Sequence, residues 1–207
     1  MFFVDGLLSD LHIRLVAANI QTSHVPPDGI QPAVAYPSVT SHQVQPEVGT
    51  GDSRVQSAIW YRSMLWIAFN DGCYVKNDTK SRSCIRFIEL NTSTSNIMQD
   101  FDVGAFGSSL YYPALSMDKA GNLGAIFGYS SNSQNPSLLI SKHLSSDLPN
   151  SIEEPQILKL GRTNELSDRY GDYSAASSDP SDESAIWVAG EYHEKPTWST
   201  YIARLHI

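Results

Sequence analysis

The chain has 207 residues, 41% of them hydrophobic and 17% charged, enough apolar material for a sizeable core and too much for a disordered chain. Fourteen Lys and Arg stand against twenty-two Asp and Glu, a net charge of −8, which excludes binding to nucleic acid through its phosphates and disfavours an anionic membrane surface. No apolar run approaches the roughly 18 residues of a spanning helix, so membrane insertion is not expected, and the opening Met1-Phe2-Phe3-Val4-Asp5-Gly6 lacks the basic region and cleavage site of a signal peptide.

In chain order, Met1 to Val4 reads as a strand ending in Asp5-Gly6, and Leu11 to Val16 alternates like the strand that would follow it. Thr22 to Pro37 carries four prolines and reads as a loop, with His42 to Val48 completing an incomplete unit over residues 1–50. A first full four-stranded unit, within 51–107, comprises Val55–Tyr61, Met64–Asn70, Cys84–Leu90 and Ile97–Val103, with Asp71-Gly72 as a turn. The second, within 108–165, comprises Tyr111–Met117, Leu123–Tyr129, Leu138–His143 and Gln156–Leu160. Its first turn, Asp118-Lys119-Ala120-Gly121-Asn122, offers a glycine where positive φ is cheap. The third, 166–207, has Tyr173–Ser177, Ala185–Tyr192 and Trp198–Leu205 and no fourth strand. Helix is expected nowhere beyond a single turn near Ser151–Gln156.

The three units repeat one another. Ala58, Ala114 and Ala175 occupy equivalent places, 56 and 61 residues apart, each on a short strand followed by a turn and an aromatic-rich strand. Trp66, Phe127 and Trp187 fall in the equivalent second strands, where they are expected to fill the space between neighbouring sheets. Cys73 and Cys84 flank one inter-strand connection, which predicts a disulfide across a hairpin and an oxidising compartment. The sequons at Asn77 and Asn91 accord with an extracellular glycoprotein.

The turns Ser116-Met117-Asp118 and Ser177-Ser178-Asp179, with aromatic strands after them, resemble the Asp-box turns of the extracellular sialidase-like β-propellers and their non-catalytic relatives. The likeness covers roughly residues 54–205. It departs from the pattern Ser-x-Asp-x-Gly-x-x-Trp: Gly121 comes one residue late, no glycine follows Asp179, and the turns join the first two strands of each unit. The resemblance implies an all-β fold, a propeller of four-stranded antiparallel blades of which this chain holds three to four, and no catalytic residue. Since a closed ring takes four to eight blades, further copies of the chain, or the rest of a longer one, are expected to complete it.

In such a fold the entries to the first strands gather on one face around a central channel. That places Asp52, Arg54 and Gln56 of the first unit, Tyr111 and Tyr112 of the second, and Arg169, Asp172 and Tyr173 of the third around one site, suited to a sugar or a cation. Hydrolysis of a glycoside would need a pair of carboxylates, and Asp172 and Glu191 are the best acids available, without the arginine cluster a carboxylated sugar requires. The six histidines are scattered, and no serine-hydrolase or zinc motif is present, so no cofactor is expected. The run Asp179-Pro180-Ser181-Asp182-Glu183 reads first as a solvated acidic turn and second as a set of calcium ligands. The sequence thus reads as a secreted binding or structural module rather than an enzyme. The alternative is a sialidase-like hydrolase whose site is completed by residues outside this chain.

Overall fold

The computed structural model describes residues 2–5, 12–15, 17–35, 43–44, 46–166, 169–195 and 197–207. Among them there is no helix, and the stretch 151–155 has no regular secondary structure. Strands β1 (Phe2–Asp5) and β2 (His12–Leu15) pair as an antiparallel hairpin. The next four strands have two residues each: β3 (Gly29–Ile30), β4 (Val34–Ala35), β5 (Gln43–Val44) and β6 (Glu47–Val48). β3 pairs with β6 and β4 with β5, so 43–44 and 47–48, the paired residues of the expected strand His42–Val48, join the proline-containing segment and not β1 or β2, while His42 and Gln45 lie outside the described residues. Pro32 and Pro46, which have no amide N–H to give, separate the two ladders.

Three larger antiparallel sheets follow, each in simple hairpin order. The first holds β7 (Ser57–Tyr61), β8 (Met64–Tyr74), β9 (Ser81–Asn91) and β10 (Asn96–Val103). The second holds β11 (Ser108–Met117), β12 (Leu123–Ser131), β13 (Gln134–His143) and β14 (Gln156–Lys159). The third holds β15 (Ala175–Ser178), β16 (Ala185–His193) and β17 (Trp198–His206).

The sheets stack face to face. Trp66, Ala68, Ile85 and Phe87 of the first pack on Leu115, Ala125, Phe127 and Leu139 of the second. On the opposite face of the second sheet, Ala114, Ile126 and Leu138 meet Ile186, Val188 and Tyr192 of the third. Buried on both faces, β11 and β12 read as nearly continuous apolar runs, whereas β17 alternates between covered and exposed side chains. Fully burying each large apolar side chain in these layers contributes about 1.5–3 kcal/mol. Trp66 and Phe127 lie between sheets as expected, but Trp187 does not. Ile186 and Val188 take the covered face, so by strand alternation Trp187 points away from the second sheet, 43% exposed, and donates its indole N–H to Asp179 Oδ2.

The first strands are neighbours, β11 packing against both β7 and β15. At one end, the turns after these strands also touch. The Tyr61 hydroxyl donates to the Lys119 carbonyl, Lys119 N–H donates to the Glu183 carbonyl, and the Lys119 ammonium pairs with the Glu183 carboxylate. Asp118 closes the β11–β12 turn by accepting Asn122 N–H at 2.8 Å, with Gly121 at φ +90° as the turn chemistry requires. Asp179 caps its own turn by accepting Ser181 N–H at 2.8 Å.

Asp71-Gly72 is not a turn. β8 runs on to Tyr74, and the connection to β9 is residues 75–80. Asp71 is buried, accepting His24 and Gly72 N–H groups and pairing with Arg86, while Gly72 donates to the His24 carbonyl. A Cβ on Gly72 would stand 2.8 Å from the Val25 carbonyl oxygen, so the glycine provides close approach of the 24–25 segment. Cys73 and Cys84 form the expected disulfide between β8 and β9, their Cα atoms 5.9 Å apart, inside the paired strands rather than at the ends of the connection. The bridge favours an oxidising environment.

Candidate functional site

At the end of the sheets opposite the stacked turns, the chain entering β7, a bulge in β11 and the segment preceding β15 enclose an open cleft of about 480 Å³, within the usual range for small-ligand sites. Asp52, Arg54, Gln56, Tyr112, Arg169, Asp172 and Tyr173 all line it, so seven of the eight residues expected to converge do so. Each sheet contributes through a different local device. Asp52 accepts both the backbone N–H and the Nε–H of Arg54 at 2.9 Å, fixing the approach to β7. β11 loses register with β12 between Tyr111 and Ala114, and within that irregularity Tyr112 adopts φ 55°. Its N–H donates to Asn70 Oδ1 at 2.7 Å and its hydroxyl to the Gly49 carbonyl at 2.6 Å. Burial, with Asp172 and Asp28 nearby, pushes the Tyr112 hydroxyl up to about 12.

Tyr111 departs from expectation. It is fully buried, edge-on to Tyr112 and Tyr170, with its ring against Gly128. Burial drives its hydroxyl far above the usual tyrosine range. It supports the cleft from beneath and does not line it.

The rim of the cleft is polar and solvated. Arg54 is 89% exposed beside a half-exposed Asp52, whose carboxyl the Arg54 hydrogen bond holds below its usual range. Arg169 pairs with Asp172, and Tyr173 is 87% exposed. Exposed pairs of this kind add little to the fold, so they are available to a ligand at little cost. Asp172 and Glu191 do not share the cleft: Glu191 belongs to a separate interior group.

That group lies beneath residues 161–166 and 169–174. Glu165, Glu191 and His193 bring two carboxylates and an imidazole within 4.8 Å of one another. His193 Nε2 is 2.8 Å from Glu165 Oε2 and 3.6 Å from Glu191 Oε1, and the His193 and Glu165 side chains are each only 5% exposed. Glu165 is held by a reciprocal pair with Gln31, its N–H donating to Gln31 Oε1 at 2.7 Å and its carbonyl accepting from Gln31 Nε2 at 3.0 Å. The His193 carbonyl accepts N–H groups from Arg162 and Thr163, the Tyr170 ring lies 5.6 Å from the imidazole, and the Tyr170 hydroxyl donates to the Glu191 carbonyl. Reading the histidines as scattered misses this group. The signal available in the sequence is Glu191-Tyr192-His193, whose spacing on a strand puts the first and third side chains on one face.

The acidic turn is occupied by protein donors. Asp179 is bonded by Arg204, Trp187 and Ser181, Asp182 by Ser184 and Arg204, and Glu183 by Lys119. Asn77 is exposed in the β8–β9 connection, and Asn91 turns its Oδ1 inward to accept the Ser93 and Thr94 N–H groups. No protein-family profile matches the chain, and a search of curated proteins returns no significant match, so the functional reading rests on the geometry of the cleft and of the group beneath it.

Proposed function

We propose that the chain is a non-enzymatic extracellular binding module of β-propeller type, and that its cleft takes an oligosaccharide. The observation that carries this is convergence: side chains from three repeated units, over a hundred residues apart in sequence, line one polar cleft with an exposed aromatic ring at its edge. Tyr173 offers a flat apolar face to a sugar ring, and the Asp52–Arg54 and Arg169–Asp172 pairs offer planar donors and acceptors to hydroxyl groups. The radial reading is supported by the repeated face-to-face packing, by the adjacency of β7, β11 and β15, and by the row of touching turns. The disulfide accords with export. Trp187, Trp198 and Ile202 leave the outward face of the third sheet apolar and exposed, which suits a further blade from another copy or from additional sequence.

Binding to a panel of immobilised glycans tests the proposal. At least one class should bind saturably, and Tyr173→Ala and Arg54→Ala should each weaken it by about tenfold, near 1.4 kcal/mol, without changing the circular dichroism. If no glycan binds, the carbohydrate reading falls. Release of reducing sugar would instead favour the sialidase-like hydrolase.

A further inference from the structure

The structure assigns a second, buried site: we infer that Glu165, Glu191 and His193 bind one divalent transition-metal ion of the zinc class, independently of whether the cleft takes a glycan. Buried polar groups are normally hydrogen-bonded. His193 is 4% exposed, yet neither of its ring nitrogens makes a hydrogen bond. Glu165 Oε2 is close enough to Nε2 at 2.8 Å but lies off the direction in which the ring nitrogen donates or accepts. An imidazole nitrogen with two carboxylates beside it, one of them buried and the other only 19% exposed, is a metal donor set. Zinc bonds such donors at about 2.0–2.2 Å, so a bound ion needs its ligands roughly 3–3.5 Å apart. The 2.8 and 3.6 Å separations bracket that requirement. The imidazole selects a transition ion over calcium or magnesium, which prefer all-oxygen shells.

The ion would join parts of the chain that are distant in sequence. Glu191 and His193 lie on one face of β16, while Glu165 sits on the segment that carries Arg169, Asp172 and Tyr173 to the cleft and is itself tied to Gln31. Metal binding therefore fastens that segment to the third sheet. Its role is structural: all three residues are interior, and none lines the cleft.

The test uses the untagged full chain, stripped with a chelator and titrated with Zn²⁺ by calorimetry. One equivalent should bind with micromolar or tighter affinity and raise the thermal midpoint by several degrees. Glu191→Gln, at the most accessible of the three positions, should weaken binding at least tenfold while the metal-free protein keeps its circular dichroism, and His193→Gln should abolish it. Should either variant fail to fold, the Co²⁺ form of the unmodified protein decides: its paramagnetically shifted proton spectrum should show one coordinated imidazole. Absence of saturable binding, unchanged affinity in a folded variant, or a Co²⁺ spectrum with no coordinated histidine or with two would overturn the assignment.

Discussion

Two buried charged groups in this molecule are built alike and end differently. On the first sheet, Arg86 of β9 is 2% exposed and lies among Asp71 of β8 and Asp100 and Asp102 of β10. On the third, His193 lies among Glu191 and Glu165. The guanidinium is permanently charged and carries five donors in a plane, so it can serve several acids at once: Nε donates to Asp100 at 2.8 Å and Nη1 to Asp71 at 3.2 Å. Backbone groups serve the remaining oxygens, His24 and Gly72 N–H on Asp71 Oδ1 and Gln21 N–H on Asp100 Oδ2. An imidazole has at most two donors, and here neither is aligned with an acceptor. Even Arg86 leaves Nη2 unaligned, 2.7 Å from Asp100 Oδ1, so the difference is that the guanidinium keeps aligned bonds to Asp71 and Asp100 through Nη1 and Nε while the imidazole keeps none.

The largest expected effect tests this contrast directly. Arg86→Met strands Asp71 and Asp100 in the interior and should cost about 3–5 kcal/mol in urea denaturation. Adding Asp71→Asn and Asp100→Asn to Arg86→Met should recover part of the loss, because uncompensated charge is the main source of the cost. In metal-free buffer His193→Gln should cost clearly less. An equal cost would mean that the imidazole is as strongly held as the guanidinium, and the contrast would collapse.

Next in size is the disulfide. It crosses β8 and β9 two residues from Asp71 and Arg86, closing a loop with a sequence separation of 11. The double replacement Cys73→Ser with Cys84→Ser should lower stability by about 3 kcal/mol on the chain-entropy estimate. The loss should fall on the first sheet, visible as faster amide exchange in β8 and β9, while β16 keeps its protection. Uniform loss across all three sheets would show that they unfold as one unit.

What the sequence discloses follows what is local. The strands of the three larger sheets are legible because runs such as Leu65-Trp66-Ile67-Ala68-Phe69 have no stable alternative, and the Asp118–Asn122 turn announces itself through Gly121. The cleft is legible at one remove, since equivalent positions of a repeat must meet if the repeats stack alike. Features set by a distant partner are hidden. Asp71-Gly72 looks like a turn until segment 24–25 is seen lying on it. Of two adjacent tyrosines only Tyr112 reaches the cleft, at a register irregularity that no residue type marks. Trp187 matches Trp66 and Phe127 in strand and chemistry, but the face it takes depends on strand phase and on what lies beyond the third sheet. Glu165 depends on Gln31, 134 residues away.

The smallest effect concerns acid, where the two sheets part again. On the third sheet, the Arg204 guanidinium holds Asp179 far below the ordinary carboxylate range, and hydrogen bonds from Ser184 and then Arg204 bring Asp182 to about 2. Arg82 does the same to Asp78 beside the first sheet. A carboxylate with a depressed folded-state pKa stabilises the fold above its unfolded value, near 3.8, and that contribution disappears as pH falls through the folded value. Asp102, beside Arg86, runs the other way: burial raises its pKa, so its contribution is present below the unfolded value and is lost as pH rises through the raised one. The depressed groups outnumber it, and stability should decline below about pH 4. Arg204 also faces His206, whose Nε2 lies 3.0 Å from Nη1. Arg204→Met removes the principal partner of Asp179 and a secondary one of Asp182. It should therefore lower stability modestly near neutrality and flatten the acid limb between about pH 2 and 4 in chemical denaturation, parent and variant converging in acid. Asp102→Asn should leave that limb as steep as in the parent chain. If Arg204→Met leaves the slope unchanged as well, the acid sensitivity lies with Asp78 and the first sheet, and the clamp on the Asp179 turn contributes shape without a measurable pH dependence.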